Sequence, residues 1–539
     1  IINNLMYNFR KPLVYLTGSI GITSISYIAY SIYNKDSNYI KKEINGINIK
    51  NEKKKENLRL RIEGKILNDQ NKSIGNNIKN KKFTYHEISK HKTKDDIWVT
   101  YKDSVYNITS FIDSHPGGKD KIMLSAGKGL EPFWNLYRQH LKPEIIDDIL
   151  EPMKIGTIED YDENKYKDNI NLYKNEPERD NNLNIHTLNP CNAEVSKDNI
   201  INNWITPNNL WYIRNHEPVP KIDITNYKLN IYKLDNTKVS ISLDYLKKMN
   251  SKEVVTTIQC GGNRRGALNN YKKTNGTPWD IGAISTAKWK GVSLRNLIKI
   301  SGIDRQDLLD NYGHIHFESY DNVKISIPIE KGLNEFGDVI LAYEMNGEEL
   351  PPDHGYPLRL IVPGFVGIRN MKWIKSIRFG LEEVDSSWQT GLSYKGLPNY
   401  IENVNDVDLS KVPTILEQPV QSTIVNIKEE ENNIIVSGYA YSGGGRGIIR
   451  VDVSNDNGNT WRMAKLKEGS NQKFNRSWAW TFWEISFDRD EIIDDAFENI
   501  WVCKATDSSY NTQPKNIEDA WNIRGLNNNS WHKIIKNYK

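Results

Sequence analysis

The chain is 539 residues long, carries a net charge of +4, and contains 15 tryptophans, 28 tyrosines and three cysteines. Its length predicts three or four domains, several of them with a core of their own. The small net charge argues against a nucleic-acid partner, and three cysteines over such a length exclude a disulfide-stabilised scaffold.

The first segment of the chain is free of acidic residues. Residues 12–33 contain no charged side chain and are long enough to span a bilayer. The first acidic residue is Asp36, and the lack of acids before it also fits a mitochondrial targeting segment. We predict that residues 1–34 are a targeting segment or a membrane anchor, and membrane association through residues 12–33 stays open.

Residues 35–82 are rich in lysine and asparagine. They hold fourteen Lys and Arg residues against six Asp and Glu, with few aromatic side chains. Such a segment cannot bury enough apolar surface to fold, so we predict a solvated, disordered linker.

The next region combines a predicted hairpin with two histidines. Two β-like runs, 97–101 and 104–108, are separated by two residues, which predicts an antiparallel hairpin. His115 precedes a Pro-Gly-Gly turn, and His140 follows an aromatic run. Two imidazoles among aromatic side chains would fill both axial positions of a haem iron, whereas either histidine alone is commonly a turn or surface residue.

The His-Pro-Gly-Gly motif and the downstream histidine make residues 83–158 resemble cytochrome b5. The resemblance implies an α+β domain that carries single electrons, with His115 and His140 as the iron ligands of a haem b. Residues 159–185 are dense in charged and amide side chains and predict a flexible hinge, with a passive spacer as the alternative.

A lone cysteine followed by two glycines and two arginines is the most informative motif, Gln259-Cys260-Gly261-Gly262-Asn263-Arg264-Arg265. A thiolate can bind a soft metal or attack a substrate. Paired guanidiniums suit oxyanions such as phosphate, sulfate or sulfite. The alternative is a buried free cysteine in a loop that ends in surface arginines.

Residues 186–408 predict a mixed α+β domain. They show no βαβ alternation and no glycine-rich phosphate motif, so we expect no nucleotide-binding domain. Short polar clusters stand out instead, and they lie at Asn192, Ile213, Cys260, Trp279, Asp353, Asn370 and Tyr394.

With these clusters, the region resembles the molybdenum-cofactor domain of the sulfite oxidase family. The resemblance implies that Cys260 completes the sulfur coordination of molybdenum beside the dithiolene of a molybdopterin. It also implies a set of residues that hold the pterin and its phosphate: Asn192, Asp321, His354, Arg359 and Lys372. A trio of His, Arg and Lys is electrostatically suited to a phosphate.

The same resemblance implies a substrate pocket. Its residues are Arg214, Arg265, Trp279, Tyr394 and, from the following domain, Arg524. Cys260, Tyr394, Arg214 and Arg265 are the expected catalytic residues. Converging guanidiniums repel one another unless an anion lies between them, and this also favours an anionic substrate.

The other two cysteines are expected to be structural. Cys191 precedes Asn192 at a position where the animal enzymes of the family have phenylalanine, so we interpret it as a substitution in the core and not as a second metal ligand. Cys503 lies in an apolar run and is expected to be core.

Residues 409–539 predict an all-β sandwich. Short apolar runs separated by Gly and Asn turns cover residues 434–438, 448–453, 460–464, 478–487 and 500–505. By resemblance this is the immunoglobulin-like dimerisation domain of the family, which implies a homodimer.

The function expected from the resemblance is oxidation of sulfite to sulfate, with electrons passed singly through the haem to cytochrome c. An assimilatory nitrate reductase is the alternative, disfavoured because the haem domain precedes the molybdenum domain. A haem protein with an empty molybdenum site is a third. The family's animal members imply a mitochondrial location, in the intermembrane space.

Overall fold

The computed structural model describes residues 81–115, 119–136, 140, 145–159, 161, 173–174, 176–404, 407–491 and 499–536. The chain divides into two compact units between Tyr166 and Lys167. The predicted targeting segment and nearly all of the lysine-rich linker lie outside the described residues. Within the described residues, no helix combines the length and the apolar character needed to cross a membrane.

The first unit is built on a five-stranded sheet. Its strands are β1 (Lys82–Phe83), β2 (Lys92–Thr93), β3 (Asp96–Tyr101), β4 (Ser104–Asn107) and β5 (Lys154–Ile158), in the order β1-β5-β4-β3-β2. Its helices are α1 (Tyr85–Ile88), α2 (Lys119–Met123) and α3 (Glu131–Leu136), with 3-10 turns at Thr109–Ser114 and Glu151–Met153 and a π turn at Ile146–Leu150.

The hairpin predicted from the sequence is confirmed. Strands β3 and β4 pair from Trp98 opposite Asn107 to Tyr101 opposite Ser104. Lys102 takes the left-handed conformation that a two-residue turn requires, with φ of 53°. Alternate side chains of β3, Ile97 and Val99, are fully buried in the core of this unit.

The second unit begins with three sheets. In chain order the strands are β6 (Leu183–Thr187), β7 (Asn192–Val195), β8 (Ile213–Arg214), β9 (Lys228–Tyr232), β10 (Lys238–Ser242), β11 (Ser251–Gln259), β12 (Ile284–Ser293), β13 (His314–Ser319), β14 (Lys324–Pro328), β15 (Ile340–Met345), β16 (Glu348–Glu349), β17 (Arg359–Ile361) and β18 (Ile374–Gly380). Strand orders are β6-β7-β8, β10-β9-β18-β13-β14 and β11-β12-β15-β16, with β17 paired to β15.

Short helices connect these strands. They are α4 (Leu243–Lys248), α5 (Arg265–Tyr271), α6 (Leu294–Ile300), α7 (Arg305–Asn311) and α8 (Ile329–Leu333), with 3-10 turns at Lys197–Asn199, Asn208–Leu210, Glu335–Gly337, Pro352–His354, Gly367–Arg369 and Leu392–Tyr394. Helix α6 buries Leu294, Leu297 and Ile298, which share one face at helical spacing. The mixed α+β class is thereby confirmed for this region.

The predicted hinge, 159–185, extends into residues that the structure places in this folded unit. Strand β6 starts at Leu183, and Arg179 donates two hydrogen bonds to the carboxylate of Asp353, at 2.9 and 3.0 Å. Asp353 lies 174 positions later in the chain, so the local composition around Arg179 could not reveal these contacts. Residues 162–172 of the predicted hinge lie outside the described residues.

The C-terminal part is an all-β pair of sheets, as predicted. The strands are β19 (Gln421–Glu429), β20 (Asn433–Tyr441), β21 (Ile448–Ser454), β22 (Arg462–Met463), β23 (Lys465–Leu466), β24 (Thr481–Asp488), β25 (Asn499–Asp507) and β26 (His532–Lys536), with a short helix α9 (Ile517–Ala520) and 3-10 turns at Leu409–Lys411 and Arg489–Glu491. The sheets are β19-β20-β24-β23 and β22-β21-β25-β26.

The core of this part lies between its two sheets. It contains Trp483 from one sheet and Trp501, Val451 and Cys503 from the other, all nearly or fully buried. Cys503 is therefore a core residue, as predicted. Strands β19, β23 and β26 were missing from the sequence prediction.

Candidate active site

The second unit contains a cavity with about 650 Å³ of free space, including its open mouth. This volume is in the range of sites that hold organic cofactors. Its lining residues are Trp211, Tyr212, Arg214, His216, Cys260, Asp321, Val323, Asp353, His354, Arg359, Gly367, Ile368, Asn370, Met371, Lys372, Trp373 and Tyr394.

Cys260 enters this cavity from the end of a strand. Strand β11 stops at Gln259, helix α5 starts at Arg265, and the tight turn between them carries Cys260. The thiol is 6 % exposed, and the backbone N–H of Gly262 lies 3.4 Å from its Sγ. Arg264 has a positive φ of 62°, which turns the chain sharply into α5. The turn therefore presents one buried sulfur atom to the cavity.

Basic side chains lie on another wall. Arg359 donates to the carbonyl oxygens of Asn370 and His354, at 3.2 and 3.1 Å. Lys372 donates to the carbonyl oxygens of Arg214 and Asp353, at 3.1 and 3.0 Å. Within the described residues neither side chain forms an ion pair with a carboxylate. These donors fit a phosphate group, which would supply the missing negative charge.

Burial changes the charge state of this wall. It lowers the pKa of His354 to about 3, against the opposing effect of Asp353, and it lowers the pKa of Lys372 to about 7. His354 is therefore neutral at pH 7, and its Nε2 donates to the carbonyl of Asn208 at 3.2 Å. Two of the trio are therefore neutral or half-charged until an anion joins them.

Arg214 also lines the cavity. Its Nη1 donates to Oδ1 of Asn192 at 2.7 Å and to the carbonyl of Asn215 at 2.9 Å. Asn192 thus lies behind the wall and orients Arg214. The structure does not place Asn192 among the lining residues, although the resemblance implied a pterin contact.

Arg265 and Arg524 lie close to Arg214 but outside the lining set. Burial lowers the pKa of Arg265, and repulsion from Arg214 and Arg524 lowers it further. Arg265 donates to the carbonyls of Gly525 and Thr277, at 3.0 and 2.8 Å. The Nε of Arg524 is buried and has no hydrogen-bond partner in the described part of the chain.

The three guanidiniums therefore form a group of like charges, and no carboxylate among the described residues pairs with any of them. A buried group of this kind is strongly destabilised by desolvation and mutual repulsion unless an anion binds beside it. The arrangement favours a small oxyanion.

Tyr394 lies in the same cavity. It is 7 % exposed, and burial together with the nearby thiol of Cys260 raises the pKa of its phenol. The phenol is therefore protonated at pH 7 and can donate a hydrogen bond. Behind it, the guanidinium of Arg369 lies 5.7 Å from the ring centre.

The two remaining predicted residues differ in position. Asp321 lines the cavity, and Ser319 donates a hydrogen bond to its carboxylate. Trp279 does not line it. The indole of Trp279 is fully buried in the cluster that also contains Cys260, and the ring of His186 lies edge-on at 5.0 Å.

Several lining residues were missed by the sequence analysis. Trp211 and Tyr212 are apolar or aromatic residues whose pattern does not differ from that of a core. Asp353 begins one of the polar clusters found in the sequence, but the sequence did not indicate a role for its carboxylate. Its carboxylate is held by Arg179 and by Asn215, whose Nδ2 donates to it at 2.7 Å. Asp353 is thus satisfied by the protein and leaves the other basic groups unbalanced.

The first unit brings the two predicted haem ligands together. The rings of His115 and His140 are nearly parallel, at 10°, with centres 6.1 Å apart. Two imidazoles on opposite sides of one metal, each bound at about 2 Å, would have ring centres roughly 6 Å apart. Trp134 lies 5.8 Å from His140, and Phe111 lies 6.0 Å from His115. The pair fits a haem iron.

Comparison with protein families assigns three segments. Residues 84–159 match the cytochrome b5-like heme/steroid binding domain, 216–388 the oxidoreductase molybdopterin binding domain, and 405–538 the Mo-co oxidoreductase dimerisation domain. The segments define a molybdenum-cofactor oxidoreductase with a cytochrome b5-type domain.

Curated relatives narrow this class. The chain is 38% identical over 464 residues to the sulfite oxidase of Gallus gallus, covering 84% of this chain and 99% of the chicken protein. It is 38% identical over 467 residues to the mitochondrial sulfite oxidase of Homo sapiens, covering 84% of each. The chain belongs to the sulfite oxidase family.

More distant similarities agree with the fold. A nitrate reductase of Phaseolus vulgaris is 33% identical over 381 residues, covering 65% of this chain and 41% of that protein. The crystal structure of the sulfane dehydrogenase SoxCD from Paracoccus pantotrophus aligns with a TM-score of 0.53 at 23% identity, covering 64% of this chain and 84% of that one. The second likeness concerns the fold alone.

Proposed function

We propose that this protein oxidises sulfite to sulfate at a molybdopterin-bound molybdenum in the second unit and passes the electrons singly through a haem b in the first unit. The overall reaction converts sulfite and water into sulfate, two protons and two electrons. The observation that carries the proposal is a cavity lined by one buried thiol and by the guanidinium of Arg214, with the guanidiniums of Arg265 and Arg524 close to Arg214.

The cofactor would be held by residues of two kinds. Cys260 is the soft donor that suits molybdenum, and Arg359, Lys372 and His354 are the donors that suit a pterin phosphate. When bound, molybdopterin supplies oxygen-atom transfer and accepts two electrons, and the haem carries one electron at a time.

The guanidiniums of Arg214, Arg265 and Arg524 bind the anion. Their shared charge stabilises sulfite on entry and the sulfate that leaves, and a dry, preorganised set of donors is more effective than water. Tyr394 holds a proton on its phenol oxygen at pH 7 and donates a hydrogen bond beside the thiol of Cys260. Asn192 acts indirectly by orienting Arg214.

Partners and location rest on the family. The match to a dimerisation domain over residues 405–538 supports a homodimer. The mitochondrial relatives support a mitochondrial location for this protein. We include in the proposal the intermembrane space as its compartment and cytochrome c as its electron acceptor.

The test is a steady-state assay of sulfite-dependent cytochrome c reduction by the purified protein, with molybdenum and haem measured on the same sample. Cys260→Ser should abolish the activity, because an alcohol is a poor ligand for molybdenum. Cys503→Ser is the matched control, since it makes the same exchange in the core of the C-terminal sandwich, and it should retain the activity.

Two results would contradict the proposal. One is a protein that contains molybdenum and haem but does not respond to sulfite. The other is full activity in Cys260→Ser. A protein that turns over nitrate and not sulfite would move the nitrate reductase alternative to the front.

A further inference from the structure

A buried carboxylate behind the Cys260 turn has no part in the chemistry proposed above. Glu194 lies on β7 and is 3 % exposed. Its Oε1 accepts from the backbone N–H of Asp280 at 3.1 Å, and its Oε2 accepts from that of Gly282 at 3.0 Å. The Nε2 of His186 lies 2.7 Å from Oε1 and covers the carboxylate on its outer side. Among the described residues, the hydrogen-bond partners of this carboxylate are the segment 279–283 and His186.

The segment 279–283 in turn braces the Cys260 turn. The backbone N–H of Cys260 donates to the carbonyl of Ala283 at 3.0 Å. Arg264 donates in the same way to Asp280 at 2.7 Å, and Gly266 to Trp279 at 2.8 Å. These three bonds flank both Cys260 and Arg265. A shift of the segment therefore moves the thiol and a guanidinium together.

The segment lies directly on β7. A Cβ at Gly282 would approach the carbonyl oxygen of Val195 to 2.1 Å, and the N–H of Val195 donates to the carbonyl of Gly282 at 3.1 Å. The same strand carries Asn192, which orients Arg214. One strand therefore fixes Arg214 through Asn192, and it fixes Arg265 through Glu194 and the segment.

We propose that Glu194, covered by His186, is a positioning residue that sets the anion affinity of the pocket. It contacts neither substrate nor cofactor. It holds the segment 279–283 at the distance from β7 at which Arg265 and Arg214 face one anion. The inference rests on the proposed function, because the anion in question is sulfite and its product sulfate.

The experiment measures binding of inorganic sulfate to the full holoenzyme by titration calorimetry, together with KM and kcat for sulfite, molybdenum and haem content, and Tm. Glu194→Gln turns one acceptor into a donor that faces a backbone N–H, so the segment must shift. The loss of a charge-assisted hydrogen bond predicts a sulfate Kd raised about tenfold. KM for sulfite should rise by a similar factor, with kcat changing far less.

Asp507→Asn is the matched control. Asp507 is fully buried in the C-terminal sandwich and accepts the backbone N–H groups of Ser509 and Asn511, at 2.9 and 3.0 Å. It should lower Tm as much as Glu194→Gln while sulfate Kd and KM stay at their wild-type values. This separates a positioning role from general loss of stability.

A second variant covers the case in which Glu194→Gln does not fold. His186→Ala removes one hydrogen bond and leaves the carboxylate in place, so sulfate Kd should rise about two- to threefold. Wild-type sulfate Kd and KM in a folded, cofactor-replete Glu194→Gln, or in His186→Ala when that is the variant that folds, would overturn the inference. Because sulfate binding needs no turnover, this result is independent of whether sulfite is the substrate.

Discussion

Two buried groups of charges in the second unit differ in whether the protein itself balances them. At Asp338, which is 4 % exposed, the carboxylate accepts from Arg476, from the ammonium of Lys252 at 2.6 Å and from the indole of Trp478 at 2.7 Å. At the cavity, within the part of the chain that the structure describes, Arg359 donates to carbonyl oxygens and Arg214 to a carbonyl and an amide oxygen, and neither pairs with a carboxylate.

The difference separates structure from function. The Asp338 group is complete and joins distant parts of the chain, so its role is to stabilise the fold. The cavity is left with positive charge that the described residues do not neutralise. A protein keeps such an arrangement at the expense of stability, and a bound anion gives that stability back.

The largest loss of activity is expected at one of two adjacent arginines, Arg265, and not at its neighbour Arg264. Arg265→Met should lower kcat/KM for sulfite by about 10²- to 10³-fold, because it removes one donor to the anion. Arg264→Met is the matched control. Arg264 does not line the cavity, and it donates to the carbonyls of Ser530 and Trp531, at 2.9 and 3.2 Å, which ties it to the segment directly before β26. It should lower Tm and leave KM nearly unchanged. Equal losses of kcat/KM in the two variants would remove the distinction.

A substitution at Asp338 should do the opposite of one at Arg265: it should lower stability and leave sulfite binding unchanged. Asp338→Asn should destabilise the protein by about 2 kcal/mol, below the usual 3–5 kcal/mol for a broken buried pair, because Arg476 and Lys252 are partly exposed. Denaturant unfolding measures this loss, and KM for sulfite should not change. A change in KM without loss of stability would contradict the structural role.

The smallest effect concerns the pH dependence of the cofactor-free protein. Burial lowers the pKa of Lys372 in the folded state to about 7, whereas the unfolded value is about 10.4. Between these values the unfolded state binds more protons, so stability should rise with pH by about 1 kcal/mol per unit above pH 7. Lys372→Met should reduce the rise when unfolding free energy is measured from pH 7 to 9, and the part that remains belongs to Lys331, whose pKa burial lowers to about 8. Lys395→Met, a second buried lysine that donates to the carbonyl of Val412 at 2.9 Å, should keep the rise. An unchanged slope in Lys372→Met would contradict the assignment.

Local patterns predicted much of the fold. The β3–β4 hairpin and most strands of the sandwich follow from apolar alternation and turn residues. What the local pattern could not show was long-range pairing. Arg179 looked like part of a charged linker, and only Asp353, far along the chain, places it in the folded unit.

The residues of the site also divide into those that a local motif reveals and those that it does not. Cys260 and Arg265 lie in one motif and could be found from the sequence, whereas Arg524 was found only through the family resemblance. Trp211 and Tyr212 could not be predicted, because aromatic residues that line a cavity have the same sequence pattern as residues of a hydrophobic core. The neutral state of His354 is a consequence of burial, and burial is not visible in a motif.

Sulfite oxidation at this cavity can be observed by adding sulfite to the oxidised holoenzyme without oxygen and following the haem absorption bands. We expect sulfite to reduce the haem rapidly in the wild-type protein and not at all in Cys260→Ser. Nitrate should leave the oxidised haem bands unchanged. If the haem stays oxidised in a wild-type protein that contains molybdenum, the cavity does not oxidise sulfite and the proposed function is wrong.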